Sequence, residues 1–156
     1  MTLRSAGILL HRLGPAGREV WIAHMGGPFW ARKDEHAWSI PKGELQTGAA
    51  EENETPMDAA RREFEEETGL PAPDLDYAVL GEYRYSSGKL LTVFAAEAPD
   101  FDPPTIHPGP FDLEWPPRSG RTQQFPEIDR AAWVTLDDAR RLLVKAQAAI
   151  LDDLPV

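Results

Sequence analysis

Residues 48–70 read GAAEENETPMDAARREFEEETGL, and this stretch decides the fold of the chain. It predicts a helix, because Thr55 can serve as N-cap, Pro56 then occupies the first helical position, and Asp58 completes a capping pattern. Gly69 supplies a stop at the other end. The apolar residues form one stripe that is expected to face the core: Met57, Ala60 and Phe64.

Three glutamates of this helix are expected to share one face. Glu63, Glu66 and Glu67 are spaced i, i+3 and i, i+4, so they fall within an arc of about 100° on a helix. Their mutual repulsion destabilises the helix by roughly 0.2–0.5 kcal/mol per pair. A bound divalent cation reverses this effect, because it neutralises the negative charges. A ligand set made only of oxygen selects Mg²⁺, Mn²⁺ or Ca²⁺ over zinc or copper.

The stretch resembles the Nudix box, G-x5-E-x7-R-E-U-x-E-E-x-G-U, in which U is a bulky apolar residue. Every specified position is filled between Gly48 and Leu70. The resemblance implies one Nudix domain over residues 1–156, with an α/β/α sandwich and a mixed β-sheet. It also implies hydrolysis of a phosphoanhydride bond in a nucleoside diphosphate derivative. Carried over to this chain, Glu63, Glu66 and Glu67 become ligands of Mg²⁺, with Mn²⁺ as the alternative, and also catalytic residues.

Two glycines compete for the first position of the box. The family usually places that glycine directly after a segment such as W-x-x-P-x-G, which is Trp38–Gly43 in this chain. We favour Gly43 over Gly48, because a backbone carbonyl at a strand end could face the metal. About five extra residues would then be inserted in the segment 44–53. Glu54 and Arg62 of the box are interpreted as a structural ion pair that, if exposed, contributes little.

Composition limits the remaining possibilities. A chain of 156 residues is the size of one domain, and its net charge of −10 argues against non-specific binding of nucleic acid. No apolar run is long enough for a membrane span or typical of a signal peptide, so we expect a cytoplasmic protein, a monomer or a homodimer, with a small nucleotide as substrate. With no cysteine and four scattered histidines, a structural zinc site is not expected.

Strands are expected to outnumber helices along the rest of the chain. The long segment 99–126 carries eight of the fifteen prolines and is interpreted as a packed loop. The other predicted elements are strands at Ser5–Leu10, Val20–Met25 and Trp38–Pro41, a hairpin of Tyr77–Tyr85 with Lys89–Ala98, a strand at Ala131–Thr135 and a helix at Leu136–Ile150.

Several residues outside the helix are candidates for contact with a substrate. Lys42, next to Gly43, can neutralise a polyphosphate oxygen. Arg118 and Arg121 could form a phosphate clamp on a loop, or could only promote solubility. Tyr83 and Tyr85 alternate on one strand and could stack on a base, although such residues are more often part of the core.

The general base is left open by the sequence, because some Nudix hydrolases use a box glutamate and others a carboxylate from a later loop. Glu127 is the first candidate outside the box and Glu114 the second; each could also be an ordinary solvated acid.

Two other classes of function stay open beside hydrolysis: a catalytically silent Nudix domain that senses a nucleotide, and an acidic interaction module without metal. Among substrates, a dinucleoside polyphosphate such as diadenosine tetraphosphate ranks first. Nucleoside triphosphates and ADP-ribose or other sugar nucleotides follow, and an inositol pyrophosphate is also open. The Pro41-Lys42-Gly43 form of the strand end and the cations of the candidate site favour a chain of more than two phosphates.

Overall fold

The computed structural model describes residues 3–46 and 54–154, and its centre is a mixed β-sheet. Five strands lie side by side in the order β3-β2-β1-β6-β5, while β4 also pairs with β1 and β9 with β2. Only β1 and β6 run parallel among the described pairs of the sheet. The strands are β1 Arg4–Gly14, β2 Gly17–Met25, β3 Trp38–Ser39, β4 Lys42–Glu44, β5 Ala78–Arg84, β6 Leu90–Glu97 and β9 Ile128–Thr135.

The first helix, α1, spans Pro56–Thr68 and has both predicted ends. Thr55 Oγ1 accepts the backbone N–H of Asp58 at 3.1 Å. Gly69 has a φ of 73°, and its N–H donates to the Glu65 carbonyl. Because the capping residues lie next to one another in the chain, this helix could be delimited from the sequence alone.

Apolar side chains cover both faces of the sheet. On one face, Ala60 and Phe64 of α1 are fully buried against β1 residues such as Ile8. On the other face, α2 (Leu136–Leu142) and a C-terminal 3₁₀ helix (Lys145–Asp153) pack on a second cluster that includes Leu9 and Leu91. The expected α/β/α sandwich with a mixed sheet is therefore confirmed.

The segment 99–126 is not only the packed loop that was expected from its prolines. It contains a separate antiparallel hairpin of β7 (Pro110–Glu114) and β8 (Thr122–Pro126). Pro110 and Pro126 pair with each other at the open end of this hairpin, where a missing N–H is tolerated. The prediction failed because proline content was interpreted without regard to position.

Two other predicted elements are shorter in the structure. Of the strand expected at Trp38–Pro41, only Trp38–Ser39 forms a strand, β3, and the separate strand β4 begins at Lys42 and pairs with a different neighbour. The helix expected over Leu136–Ile150 breaks after Leu142, because the extended Leu143 bridges Trp38 and the N–H of Val144 donates to the Trp38 carbonyl. Thr135 caps the start of this helix, since its Oγ1 accepts the N–H of Asp138. No helix in the described ranges is both long and apolar enough to cross a membrane.

Candidate functional site

A cleft of about 510 Å³ lies where α1, β4 and the turn between β5 and β6 approach one another. Five lining residues are linked by contacts or by their charges and form what we call the charged end: Lys42, Gly43, Glu63, Glu67 and Glu127. The other lining residues form what we call the neutral end, although Glu44 and Lys89 in it are charged: Ser5, Met25, Trp30, Ser39, Glu44, Tyr85, Lys89, Val144 and Gln147. The volume is in the range that small-molecule sites usually have.

Glu67 is the most deeply buried carboxylate of this end, with 7% of its surface exposed. Its Oε1 accepts the backbone N–H of Lys42 at 2.8 Å, so the helix is fixed to β4 at this point. Burial raises the pKa of Glu67 to about 7, against the lowering effect of the Lys42 charge. A nearby cation would stabilise the charged form of such a buried carboxyl and would offset the cost of its burial.

Glu63 lies one turn earlier on α1 and directly against Gly43. A Cβ added to Gly43 would overlap the Glu63 carboxyl, so only glycine permits this approach. Burial raises the pKa of Glu63, and the charges of Glu66 and Glu127 raise it further. This contact agrees with the choice of Gly43 as the box glycine, whereas Gly48 lies outside the described residues.

Arg62 connects the carboxylates to the loop before the helix. Its Nε and Nη2 donate to the two carboxylate oxygens of Glu54 at 2.8 and 3.1 Å. Its Nη1 donates to Glu63 at 2.8 Å and to Glu66 at 3.3 Å, and its Nη2 also donates to the Glu44 carbonyl. The pair is thus bidentate and partly buried, so the exposure on which a small contribution was expected is not found.

Glu66 and Glu127 complete the charged end from its edge. The Glu66 side chain is exposed, but its backbone carbonyl accepts the N–H of Gly109, and the Gly109 carbonyl accepts the N–H of Glu127. The base of the β7–β8 hairpin is thereby held beside α1. Burial raises the pKa of Glu127, Lys42 lowers it and Glu66 raises it.

The remaining predicted site residues are divided between the cleft and other places. Tyr85 lines the cleft, but Tyr83 is buried in the core, and its hydroxyl donates to Asp153 at 2.6 Å. Arg118 and Arg121 lie exposed in the turn of the β7–β8 hairpin and do not line the cleft. Glu114 accepts the N–H of Gly120 within the same hairpin. The structure therefore does not bring Tyr83, Arg118, Arg121 or Glu114 to the site.

Three cleft residues have no clear signal in the sequence: Ser5, Lys89 and Gln147. Ser5 lies between Arg4 and the apolar run of β1, and Gln147 lies in the first turn of the 3₁₀ helix. Lys89 ends a hairpin turn, and its Nζ lies 3.1 Å from Glu44 Oε2. Only the tertiary pairing of β3 with the segment after α2 brings Gln147 to the cleft.

The donor set fits a hard divalent cation. Glu63, Glu67 and Glu127 all have raised pKa values, and each feels the charge of another carboxylate of the same cluster. As arranged, no three acidic or histidine side chains among residues 3–46 and 54–154 converge as a ready set of ligands. Arg62 holds Glu63 and Glu66, so their carboxylates would have to turn toward an ion. All-oxygen ligands of this kind suit Mg²⁺ or Mn²⁺.

Comparisons with known proteins agree with this arrangement. A model of the NUDIX domain matches residues 1–154. Over 60 residues, 38% of this chain, the sequence is 45% identical to an RNA pyrophosphohydrolase of Halorhodospira halophila, and this match spans 29% of that relative's length.

Solved structures show the same fold. An Ap4A hydrolase of C. elegans, in a binary complex, is similar with a TM-score of 0.64 and 19% identity, covering 95% of this chain and 92% of that one. The NUDIX domain of Shewanella oneidensis NrtR, complexed with ADP ribose, is similar with a TM-score of 0.58 and 12% identity, covering 98% and 86%. With its fold, its box and the match over nearly its whole length, the chain belongs to the Nudix family, whose hydrolases act on pyrophosphate bonds.

Proposed function

We propose that this protein hydrolyses a phosphoanhydride bond in a nucleoside diphosphate derivative with the help of Mg²⁺, for which Mn²⁺ can substitute. The single observation that carries the proposal is the grouping of Glu63, Glu67, Glu127 and Lys42 at one end of a cleft of about 510 Å³. Carboxylates would hold the cation, and lysine would bind the phosphate, within one site of nucleotide size.

The three box glutamates have different parts in this proposal. Glu63 and Glu67 line the cleft and would be the main metal ligands, with the Gly43 carbonyl as a backbone ligand. Glu66 lies at the exposed edge, where it would complete the set or act through a water molecule. A bound divalent cation lowers the pKa of a coordinated water and offsets charge on the bridging phosphates.

Glu127 is proposed as the general base. A water oxygen forms a bond to phosphorus, the bridging phosphorus–oxygen bond breaks, and the leaving phosphate keeps that electron pair. The proton lost by the water passes to Glu127, whose raised pKa brings the carboxylate nearer to the pH at which a base is efficient. A box glutamate remains the alternative base.

A dinucleoside polyphosphate remains the first-ranked substrate. Lys42 and Lys89 are two cations that line the same cleft, which would suit a chain of more than two phosphates. Fold similarity to an Ap4A hydrolase is consistent with this ranking, at 19% identity. Contact by Arg118 and Arg121 would require the β7–β8 hairpin to bend toward the cleft, so their role stays a prediction.

Two other functions predict different measurements. A nucleotide sensor would bind a nucleotide tightly without cleaving it, and an acidic interaction module would need neither nucleotide nor metal. The test is product formation from diadenosine tetraphosphate, the four nucleoside triphosphates and ADP-ribose, with and without about 5–10 mM Mg²⁺, as expected for a weakly held hard cation. We expect Mg²⁺-dependent cleavage, with diadenosine tetraphosphate ahead of ATP. An excess of more than about tenfold for ADP-ribose or ATP, about 1.4 kcal/mol in transition-state preference, would reject the substrate ranking.

A further inference from the structure

A buried histidine contacts the start of β9, directly after Glu127, and has no part in the proposed hydrolysis. His24, near the end of β2, has none of its surface exposed. Its Nδ1 lies 2.9 Å from Asp129 Oδ1, and its Nε2 lies 2.6 Å from the Lys33 carbonyl oxygen. The ring also packs edge to face against Trp38, with 5.5 Å between the ring centroids. Three separate segments of the chain therefore hold one imidazole ring.

Both ring nitrogens of His24 face groups that accept hydrogen bonds. The Lys33 carbonyl is an acceptor only, so Nε2 carries a proton and donates to it. A proton between Nδ1 and the Asp129 carboxylate makes the second bond. Turning the ring over would leave the buried Lys33 contact unpaired, which is destabilising. The two bonds thus fix the Asp129 side chain relative to β2.

The pairing of β2 with β9 shifts by one residue at this histidine. His24 pairs with Arg130, whereas the next residue, Met25, pairs with Ile128. Asp129 is therefore an extra residue in β9, and the irregularity is a β-bulge. A bulge of this kind bends the strand and changes the direction in which nearby side chains point. The bond from His24 holds the residue that forms the bulge.

The bulge determines where Glu127 meets β2. Without the extra residue, the register would place Glu127 opposite Gly27; with it, Glu127 lies opposite Gly26, whose N–H donates to the Glu127 carbonyl at 3.0 Å. The two segments are in close contact, since a Cβ added to Gly26 would overlap the Pro126 carbonyl. The Glu127 side chain lines the charged end of the cleft. Its place there depends on the bulge.

We propose that His24 is a positioning residue, whose bond to Asp129 fixes the bulge and thereby presents Glu127 to the cleft. The inference rests on the proposed function, because it concerns the general base of that reaction. Displacing a catalytic group by about 1 Å can lower a rate by about 10²-fold. His24 does not itself line the cleft, so its effect on turnover passes through Glu127.

Two substitutions of His24 separate its two bonds. Asparagine brings an amide nitrogen close to the place of Nδ1 and can keep the bond to Asp129, whereas glutamine brings one close to the place of Nε2 and can keep only the bond to Lys33. With diadenosine tetraphosphate and Mg²⁺, we expect kcat to fall by about 10- to 10²-fold in His24→Gln, with KM within about twofold. In His24→Asn, kcat should fall by less than about threefold.

Stability measurements separate positioning from general damage to the fold. Each variant loses one buried hydrogen bond, so urea unfolding should show both His24→Gln and His24→Asn to be less stable than the wild type. A merely structural role would lower kcat in both. His11→Gln is the matched control, because His11 is 7% exposed, contacts Arg18 and does not line the cleft. It should keep the kcat of the wild type.

A double-mutant cycle tests whether His24 acts through Glu127. In Glu127→Gln, which lacks the proposed base, adding His24→Gln should lower kcat further by less than about twofold, because no base is left to position. Losses that multiply, or equal kcat in His24→Gln and His24→Asn, would overturn the inference.

Amide hydrogen exchange adds a measurement that does not require hydrolysis. The N–H groups of Gly26 and Glu127 are both hydrogen-bonded beside the bulge, and His24→Gln should speed up their exchange by at least about tenfold. The Ile8 amide, which is hydrogen-bonded elsewhere in the sheet, should exchange as in the wild type. Unchanged exchange at Gly26 and Glu127 would overturn the inference. Faster exchange at both, in a protein whose wild type cleaves no tetraphosphate, would retain the placement of Glu127 by His24 and reject the hydrolase.

Discussion

Replacement of Glu67 by glutamine should stabilise the metal-free protein and remove its activity. Glutamine keeps the shape of the side chain and an oxygen that can accept the N–H of Lys42. The substitution therefore removes only the ability to carry a negative charge in a position that is 7% exposed. Under the proposed function, that charge is needed only when a cation is bound.

The size of the stabilisation follows from the pKa of Glu67. Burial raises this pKa from 4.5 to about 7, and at about 1.4 kcal/mol per pKa unit the difference corresponds to about 3 kcal/mol. Because the folded-state pKa is the higher one, the favourable contribution of the neutral acid is fully present below about 4.5 and is lost as pH rises through about 7. The advantage of Glu67→Gln should thus grow from about 1 kcal/mol at pH 5.5 to about 3 kcal/mol at pH 8.

Urea unfolding in EDTA at these two pH values measures the stability, and turnover at saturating Mg²⁺ measures the activity. Glu65→Gln, on the exposed side of α1, is the matched control and should change stability by less than about 0.5 kcal/mol. We expect kcat of Glu67→Gln to fall by at least about 10²-fold, or more than about 2.7 kcal/mol in barrier. A variant that is less stable than the wild type at pH 8, or that keeps near wild-type turnover, would refute the reasoning.

The other predictions concern the neighbours of Glu67. Gly43→Ala should abolish metal-dependent activity in a folded protein, because the added carbon overlaps the Glu63 carboxyl, while Gly48→Ala should retain it; equal losses in kcat would reject Gly43 as the box glycine. Shortening the segment 44–53 by five residues should leave a folded, partly active enzyme by circular dichroism and turnover, and complete loss of activity with the fold intact would favour Gly48. Arg62→Lys should lower the free energy of unfolding by about 1–2 kcal/mol, since lysine cannot make the bidentate contact with Glu54; unchanged urea unfolding would contradict this. Glu127→Gln should reduce kcat by about 10²-fold with little change in KM, whereas near wild-type kcat would assign the base to another residue.

The sequence could predict the parts of the site that depend on local geometry. Glu63, Glu66 and Glu67 fall on one helix face because of their spacing. Thr55 caps the start of the helix and Gly69 caps its end. Both features are set by residues within a few positions of one another. The hydrolase function was predicted from the family resemblance, because the spacing of the glutamates alone indicates only a site for a cation.

The neutral end of the cleft could not be predicted, because distant segments build it. The sequence is compatible with a continuous helix, but the helix is interrupted at Leu143, which pairs with Trp38. Gln147 reaches the cleft only because of this interruption. Tyr83 in β5 and Tyr85, just after this strand, pack against the same core cluster, but the packing of the 3₁₀ helix takes the Tyr83 hydroxyl into the core. Tertiary contacts therefore decide which tyrosine lines the cleft.

The carboxylates of α1 are proposed to support hydrolysis of a phosphoanhydride bond through a divalent cation. This dependence can be measured by ³¹P NMR of diadenosine tetraphosphate incubated with the wild-type protein, in EDTA and then with excess Mg²⁺. We expect no change in EDTA and conversion to shorter adenosine phosphates after Mg²⁺ is added, with no conversion by Glu63→Gln. Conversion in EDTA at the same rate, or intact tetraphosphate, triphosphates and ADP-ribose in the presence of Mg²⁺, would contradict it.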